Sequence, residues 1–352
     1  MRTNSVKAWI PESLRRLRWT RRIERHKHAP LAEKLRWWPR GFRVQSARLY
    51  GFPATDPADY VPDFIVSYRH DRFNPAEALF EHKLARRAML LATGAAQPET
   101  AAVLWRGRVV LQPFSSAYRS ISPGELERWL IADGGDFVIK PESDERGRGV
   151  ALIRSENGRL LRRSGTGERP FMIEEYSDRL TMIERRAEQA PFWRGLFPET
   201  VNTIRLLTIW PRDARPFLAA ATQKVGTSAS VPADNFARGG LAAAIDVETG
   251  RLRAARMRQD VRERIVRHPE TGARIEGVVL PDWPELKAEI LRIASGFPGD
   301  CFVGWDVFRD PAGRTVVIEA NGGTASVQIM QLERGLLYDP RVRAFYDEIG
   351  VL

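Results

Sequence analysis

Residues 304–321 read GWDVFRDPAGRTVVIEAN, two apolar runs on either side of a turn. Asp310-Pro-Ala-Gly313 has Asp first, Pro second and Gly fourth, the residues a tight reversal selects. A hairpin folded about Ala312 and Gly313 sets Asp306 opposite Glu319. Asn321, two residues on, falls on the same face. Two carboxylates opposed on an otherwise apolar ribbon repel each other unless a cation lies between them. Asp306, Glu319 and Asn321 are therefore expected to hold a hard divalent ion through oxygen.

Upstream, Phe137-Val-Ile-Lys140 is an apolar strand that delivers one lysine into the loop Glu142-Ser-Asp-Glu-Arg-Gly-Arg-Gly149. Arg146 adds charge there. Gly147 and Gly149 let the backbone take positive φ and close over phosphates, although a plain surface turn has the same composition. Met172-Ile-Glu-Glu-Tyr176 is a strand-to-linker hinge. Through Glu174, Glu175 and Tyr176 it offers backbone to an adenine edge and a carboxylate to a ribose, or else forms a solvated face. Asn202-Thr-Ile-Arg205 puts an arginine inside an apolar strand, where an unpaired charge is costly, so an anion must meet it. Seven of the 55 basic residues are lysines and 48 are arginines. Lys140 and Lys224, which both end apolar runs, thus mark places that want a compact ammonium. Asp234-Asn-Phe-Ala-Arg-Gly-Gly240 reads as a loop shaped for a ligand or as a simple connection.

In that order, Lys140 with its glycine loop, Glu174-Glu175-Tyr176, Arg205 and Asp306 … Glu319-x-Asn321 resemble the ATP-grasp superfamily. Asn202-Thr-Ile-Arg205, Asp234-Asn … Gly239-Gly240, His268-Pro … Thr271-Gly272 and Gln328 resemble its sugar-transfer-associated group, linked to cell-surface polysaccharide synthesis. The resemblance covers roughly residues 81–339. It implies an α+β fold in which two subdomains grip ATP and two magnesium ions. It also implies γ-phosphate transfer to a carboxylate and attack by an amine on the acyl phosphate. Lys83, Lys140, Arg146, Gly147, Gly149, Glu174, Glu175 and Tyr176 would then contact the nucleotide. Arg205 and Lys224 would stabilise the phosphoryl group in flight. Asn202, Asn235, Gly239, Gly240 and His268 would contact substrate. Glu81-His82 stands where the superfamily has Asn-Asp before its first lysine, and Lys224 where an arginine is more usual.

The 352 residues, 43% of them hydrophobic, can bury a core of two or three subdomains. No apolar run approaches the ~18 residues that span a bilayer. The N-terminus lacks the apolar segment of a signal peptide. The lone Cys301 suits a reducing, cytoplasmic setting and reads as a small buried hydrophobe. Charge is concentrated at one end. Residues 1–43 hold 13 Lys and Arg against Glu12, Glu24 and Glu33, a net of +10 where the chain carries +11. Leu14, Leu17, Trp19, Ile23, Leu31, Leu35, Trp37 and Trp38 interleave with those charges. Such an arm either packs its apolar stripe on the body or lies on the inner face of a membrane. Nucleic acid is the weaker expectation, for want of a zinc-finger spacing or an aromatic RNA-binding signature.

Four segments are expected: 1–75, basic helical arm and connector; 76–130, start of the body; 131–185, lysine and glycine loop with hinge; 186–352, metal site. Helices are expected over 75–93 (capped by Asn74, closed by Gly94), from Ser122, over 283–294 and over 326–336. Strands are expected over 102–104, 109–111, 136–140, 149–153, 170–176, 203–210, 216–225, 241–247, 302–308 and 315–319. This is an α+β pattern of antiparallel groups. No P-loop, zinc-protease or nucleophile-elbow motif competes. A kinase acting on a sugar or lipid-linked glycan would use the same residues, and a non-catalytic scaffold would use mainly the arm.

Overall fold

The computed structural model describes residues 12–24, 29–68, 73–75, 77–142, 149–164, 167–176, 178–258, 260, 262–322 and 327–352. The arm forms α1 (Glu12–Glu24), α2 (Leu31–Trp37), α3 (Val44–Leu49) and α4 (Asp63–Tyr68). Its apolar stripe faces inward. Trp19, Trp37, Phe42 and Phe64 are buried in one cluster with Leu207, Ile209 and Phe302 of the body. Each buried tryptophan removes an aromatic surface worth about 2–3 kcal/mol from water. Trp38 is buried as well, and its indole N–H and the backbone N–H of Val44 both donate to the buried Glu24 carboxylate. The arm tryptophans are therefore structural, while Leu14, Leu31 and Leu35 remain exposed.

The helix expected over 75–93 is two helices, α5 (Glu77–Glu81) and α6 (Lys83–Ala92). His82 breaks the run because its ring accepts from Ala85 N and caps α6. Asn74 does not cap with its side chain. It bridges both backbone groups of Phe302 and the carbonyl of Gly322 instead.

Next come β1 (Thr100–Trp105), β2 (Arg108–Leu111), β3 (Arg119–Ile121), α7 (Pro123–Asp133), β4 (Phe137–Pro141), β5 (Ala151–Glu156), β6 (Arg159–Ser164), β7 (Gly167–Pro170) and β8 (Thr181–Arg185). Ser122 and Glu125 start α7 with a reciprocal capping box. These strands make one sheet in the order β3-β2-β1-β8-β4-β5-β6-β7, so segments 76–130 and 131–185 share it. No strand runs over 170–176. Strand β7 stops at Pro170, and Ile173–Tyr176 is a 3-10 turn.

After α8 (Pro191–Leu196), a second sheet has the order β12-β11-β10-β9-β13-β14. It comprises β9 (Ile204–Ile209), β10 (Phe217–Val225), β11 (Leu241–Ile245), β12 (Leu252–Met257), β13 (Phe302–Arg309) and β14 (Thr315–Asn321). Between β12 and β13, α9 (Trp283–Ala294) lays Leu286, Ile290 and Ile293 on one face of this sheet. The arm covers the other. The helix expected over 326–336 is only the short α10 (Val327–Met330), and a further helix, α11 (Pro340–Glu348), follows beyond it. Gly335 sits between them because a Cβ there would stand 2.1 Å from the Asp59 carbonyl oxygen.

Candidate functional site

The hairpin register is the one its turn predicts. Asp306 pairs with Glu319 and Gly304 with Asn321, and a bulge follows at Val307. Across the sheet Asp306 also pairs with Arg205 of β9, and Arg205 with Thr222 of β10. Cross-strand partners share a face. One polar row therefore crosses four strands at the end of the face whose other end, at Leu207, Ile209 and Phe302, belongs to the arm core.

Arg205 and Asp306 form a forked pair, with Nε 2.6 Å from Oδ1 and Nη2 on Oδ2. Lys224 Nζ lies 3.2 Å from Asp306 Oδ1 and 3.4 Å from Asp234 Oδ1. Asp234 Oδ2 accepts from both the backbone N–H and the hydroxyl of Thr203 at 2.6 Å. All four charged side chains are buried. Burial pushes the Asp306 carboxyl up, but Arg205 and Lys224 outweigh it and hold it at about 2. Burial likewise lowers Lys224, and Asp234 followed by Asp306 raises it above its ordinary value. Arg205, Lys224 and Asp306 therefore stay ionised throughout the physiological range.

Beside it, the Glu319 carboxylate acts electrostatically on Arg205. The buried amide nitrogen of Asn321 has no hydrogen-bond partner among the described residues. Oxygen and nitrogen of such an amide exchange by a flip, so this is an unused polar group two residues from an acid. Among the described residues no three His, Cys, Asp or Glu side chains stand together as a metal nest. Two carboxylates and an amide nevertheless fit magnesium, which keeps waters and takes its remaining oxygens from phosphates.

Helix α6 ties this strand to the other sheet. Lys83 Nζ donates to the carbonyls of Pro141 and Glu142, where β4 ends and the glycine loop begins. Its backbone N–H donates to Glu142 Oε1 at 2.6 Å. One turn on, Arg86 donates to the carbonyl of Ala320, the residue between Glu319 and Asn321. Arg87 bonds the buried Glu184 of β8 at 3.1 Å, and Lys140 bonds the other oxygen of the same carboxylate. The loop base and the acid strand are thus held by adjacent residues of one short helix.

Other residues singled out by sequence lie as follows. Arg146 and Gly147 are outside the described residues, and Gly149 has φ of 77°. Both oxygens of Glu175 are taken by Arg169, and the Tyr176 hydroxyl accepts from Arg162 at 2.7 Å. Glu174 shares their 3-10 turn. Asn202 is fully buried and saturated: its amide donates to Trp193 and Phe197 carbonyls and accepts from Gly226 N. His268, also buried, bonds the Gly226 carbonyl at 2.7 Å and stacks on Phe197. Neither offers a ligand a free polar atom; together they fix the turn after Lys224. Asn235 caps the 3-10 turn at Phe236–Arg238, and Gly239 closes it at φ of 99°. A Cβ on Gly240 would stand 2.7 Å from the Asp234 carbonyl oxygen, so this glycine serves close packing.

Asn74 was read only as a helix cap, and Arg86, Arg87 and Glu184 were not singled out from the sequence. Glu184 carries the signal that marked Arg205, a charge inside an apolar run, Thr181-Met-Ile-Glu184. Arg86 and Arg87 lie in a helix-like run of an arginine-rich chain, where two more arginines give no contrast.

No curated protein matches the chain in sequence. Among solved structures, D-cycloserine synthetase is 12% identical at a TM-score of 0.42, with 78% of this chain and 72% of that one covered. N5-carboxyaminoimidazole synthetase from Staphylococcus aureus with ADP is 9% identical at 0.39, covering 71% of this chain and 47% of that one. The corresponding ribonucleotide synthetase from Thermotoga maritima is 11% identical at 0.36, with 70% and 42% covered. The chain thus spans about half the length of the two carboxyaminoimidazole enzymes. The model of the sugar-transfer associated ATP-grasp family matches residues 68–345, and the chain belongs to that family.

Proposed function

We propose that the chain is an ATP- and magnesium-dependent ligase. It activates a carboxylate as an acyl phosphate for attack by an amine, in the synthesis of a cell-surface polysaccharide or its precursors. One observation carries this reading: the amide nitrogen of Asn321 has no hydrogen-bond partner among the described residues, and Glu319, two residues away, acts on the buried Arg205, on a strand that α6 ties to the base of the glycine loop.

Glu319, Asn321 and Asp306 would hold magnesium, which would offset phosphate charge when bound. Arg205 and Lys224 supply fixed positive charge where the γ-phosphoryl group develops negative charge, in a pocket dry enough for that charge to act strongly. Asp306 accepts from both cations. A triphosphate competes for the same donors, so nucleotide entry loosens the carboxylate. Lys83 and Lys140 orient the α and β phosphates from the loop base. Arg87 lets Glu184 keep one cation when Lys140 turns to phosphate.

Substrate contacts are proposed for the loop at Asn235, Gly239 and Gly240, while Asn202 and His268 position the turn behind Lys224. Among the described residues no helix is long and apolar enough to cross a membrane. The exposed Leu31 and Leu35, next to the arm's basic residues, favour contact with the inner membrane face in a cytoplasmic enzyme. The test is positional isotope exchange in ATP labelled at the β,γ bridge, with candidate uronic and amino acids. Carboxylate-dependent scrambling supports the ligase. A stable phosphorylated product without amine would mean a sugar or glycan kinase, and no Mg·ATP binding would leave a scaffold.

A further inference from the structure

A cleft of about 700 Å³ opens between the arm and the C-terminal helix, and no side chain of the ATP-site cluster lines it. Its lining includes Arg16 of α1, Arg36 and Arg40 around the end of α2, and Arg343 of α11, against the acids Asp56 and Asp347. Four guanidiniums against two carboxylates leave the lining side chains at +2.

The floor is apolar, built from Trp37, Tyr60, Ile65 and Leu337. Arg36 and Arg40 are four residues apart, and their guanidiniums lie 4.9 Å and 5.8 Å from the Trp37 ring centroid. Arg40 also donates to the Arg36 carbonyl. Neither has a carboxylate partner among the described residues. The Trp37 ring thus holds two guanidiniums side by side with neither spent on a carboxylate, and such a pair suits phosphate. Asp56 is turned to its own turn, accepting from Ala58 N, while Arg343 donates to the Ala58 carbonyl and lies 3.6 Å from Asp59.

We infer that this cleft is a second anion site, taking the phosphate or diphosphate of a ligand whose apolar portion lies against Trp37, Tyr60 and Ile65. Two sources share that chemistry, an anionic lipid headgroup and a soluble phosphorylated compound. Leu31 and Leu35, exposed on α2 beside Arg36, place an apolar rim next to the charge.

The experiment uses the full chain saturated with a non-hydrolysable ATP analogue, so that the catalytic cleft is filled. Labelled inorganic pyrophosphate is bound at low salt. Flotation is run with phosphatidic acid vesicles and with neutral phosphatidylcholine vesicles. Arg36→Gln/Arg40→Gln should weaken pyrophosphate binding at least tenfold and leave analogue affinity unchanged. Ala58→Trp, which fills the cleft without removing charge, should do the same. Loss of flotation on phosphatidic acid in both variants assigns the lipid source. Loss of pyrophosphate binding, with no wild-type flotation, assigns the soluble one. Pyrophosphate affinity and flotation that both variants leave unchanged would overturn the site.

Discussion

Arg205 and Asp306 face each other across β9 and β13 as a forked ion pair, both more than nine-tenths buried. Lys224 leans on the same carboxylate from β10. Two cations thus share one anion at the end of the sheet, and the next acid in the row, Glu319, has no hydrogen-bond partner among the described residues. The division of labour between the two carboxylates follows: Asp306 holds the cluster together, and Glu319 is available to a ligand.

Asp306→Asn should cost about 3–5 kcal/mol, because it leaves Arg205 and Lys224 buried with half their compensation. Glu319→Gln should stay within about 1 kcal/mol of the parent, since its carboxylate is only part-buried and accepts no hydrogen bond from the described residues. It should nevertheless abolish magnesium-dependent ADP formation. Urea unfolding beside an ADP assay checks both. Unchanged turnover in Glu319→Gln would remove the metal assignment.

Lys83→Met should separate binding from folding. The ammonium bonds two carbonyls at the loop base, while its backbone N–H keeps the bond to Glu142. The apparent KM for ATP should rise about tenfold, the ~1.4 kcal/mol of one charge-assisted bond. The unfolding midpoint should shift little. A change confined to kcat would place Lys83 at the reacting phosphate instead.

Much of this site was legible because its signals are local. The turn Asp310–Gly313 fixes the hairpin register, and register fixes that Asp306 meets Glu319. Arg205 was visible as a charge in an apolar strand, and its partner proved to be the very acid assigned to the metal. Strands β6, β8 and β12 were not visible. Arg159-Leu-Leu-Arg-Arg-Ser164 and Leu252-Arg-Ala-Ala-Arg-Met257 carry arginines where a propensity pattern wants apolar residues, and only sheet pairing makes them strands. The arm's tryptophans had two readings of equal chemistry, and contacts with residues some 200 positions away decided between them.

Gln331 is a hub that no local pattern announces. Its Oε1 accepts from the backbone N–H groups of Val61 and Leu336, and its Nε2 donates to the Val61 carbonyl and the Tyr50 hydroxyl. The side chain is fully buried and joins the arm to the C-terminal segment. Gln331→Leu keeps the volume and strands several backbone groups without partners. A loss of about 2–4 kcal/mol in urea unfolding is expected. A loss under 1 kcal/mol would mean that water replaces the amide.

Asp300 gives the pH dependence a definite sign. It is 5% exposed, its Oδ1 has no hydrogen-bond partner, and burial followed by the charge of Glu77 pushes its carboxyl up to about 6. Burial and then Asp300 itself raise the neighbouring Cys301 thiol, so that group stays neutral and offers no compensation. In the unfolded chain Asp300 titrates near 3.8. Between these values the native state binds more protons than the unfolded one, so stability falls as pH rises through about 4 to 6 and is level above. At pH 7.5 the ionised group costs the fold about 1–3 kcal/mol. Asp300→Asn keeps the shape and removes the charge, so it should stabilise by that amount at pH 7.5. The gain should shrink to about a third near pH 4.5, where the unfolded-state carboxyl begins to protonate. Urea unfolding of both proteins across this range measures it. A gain that grew toward low pH would mean that Asp300 is held ionised by a cation.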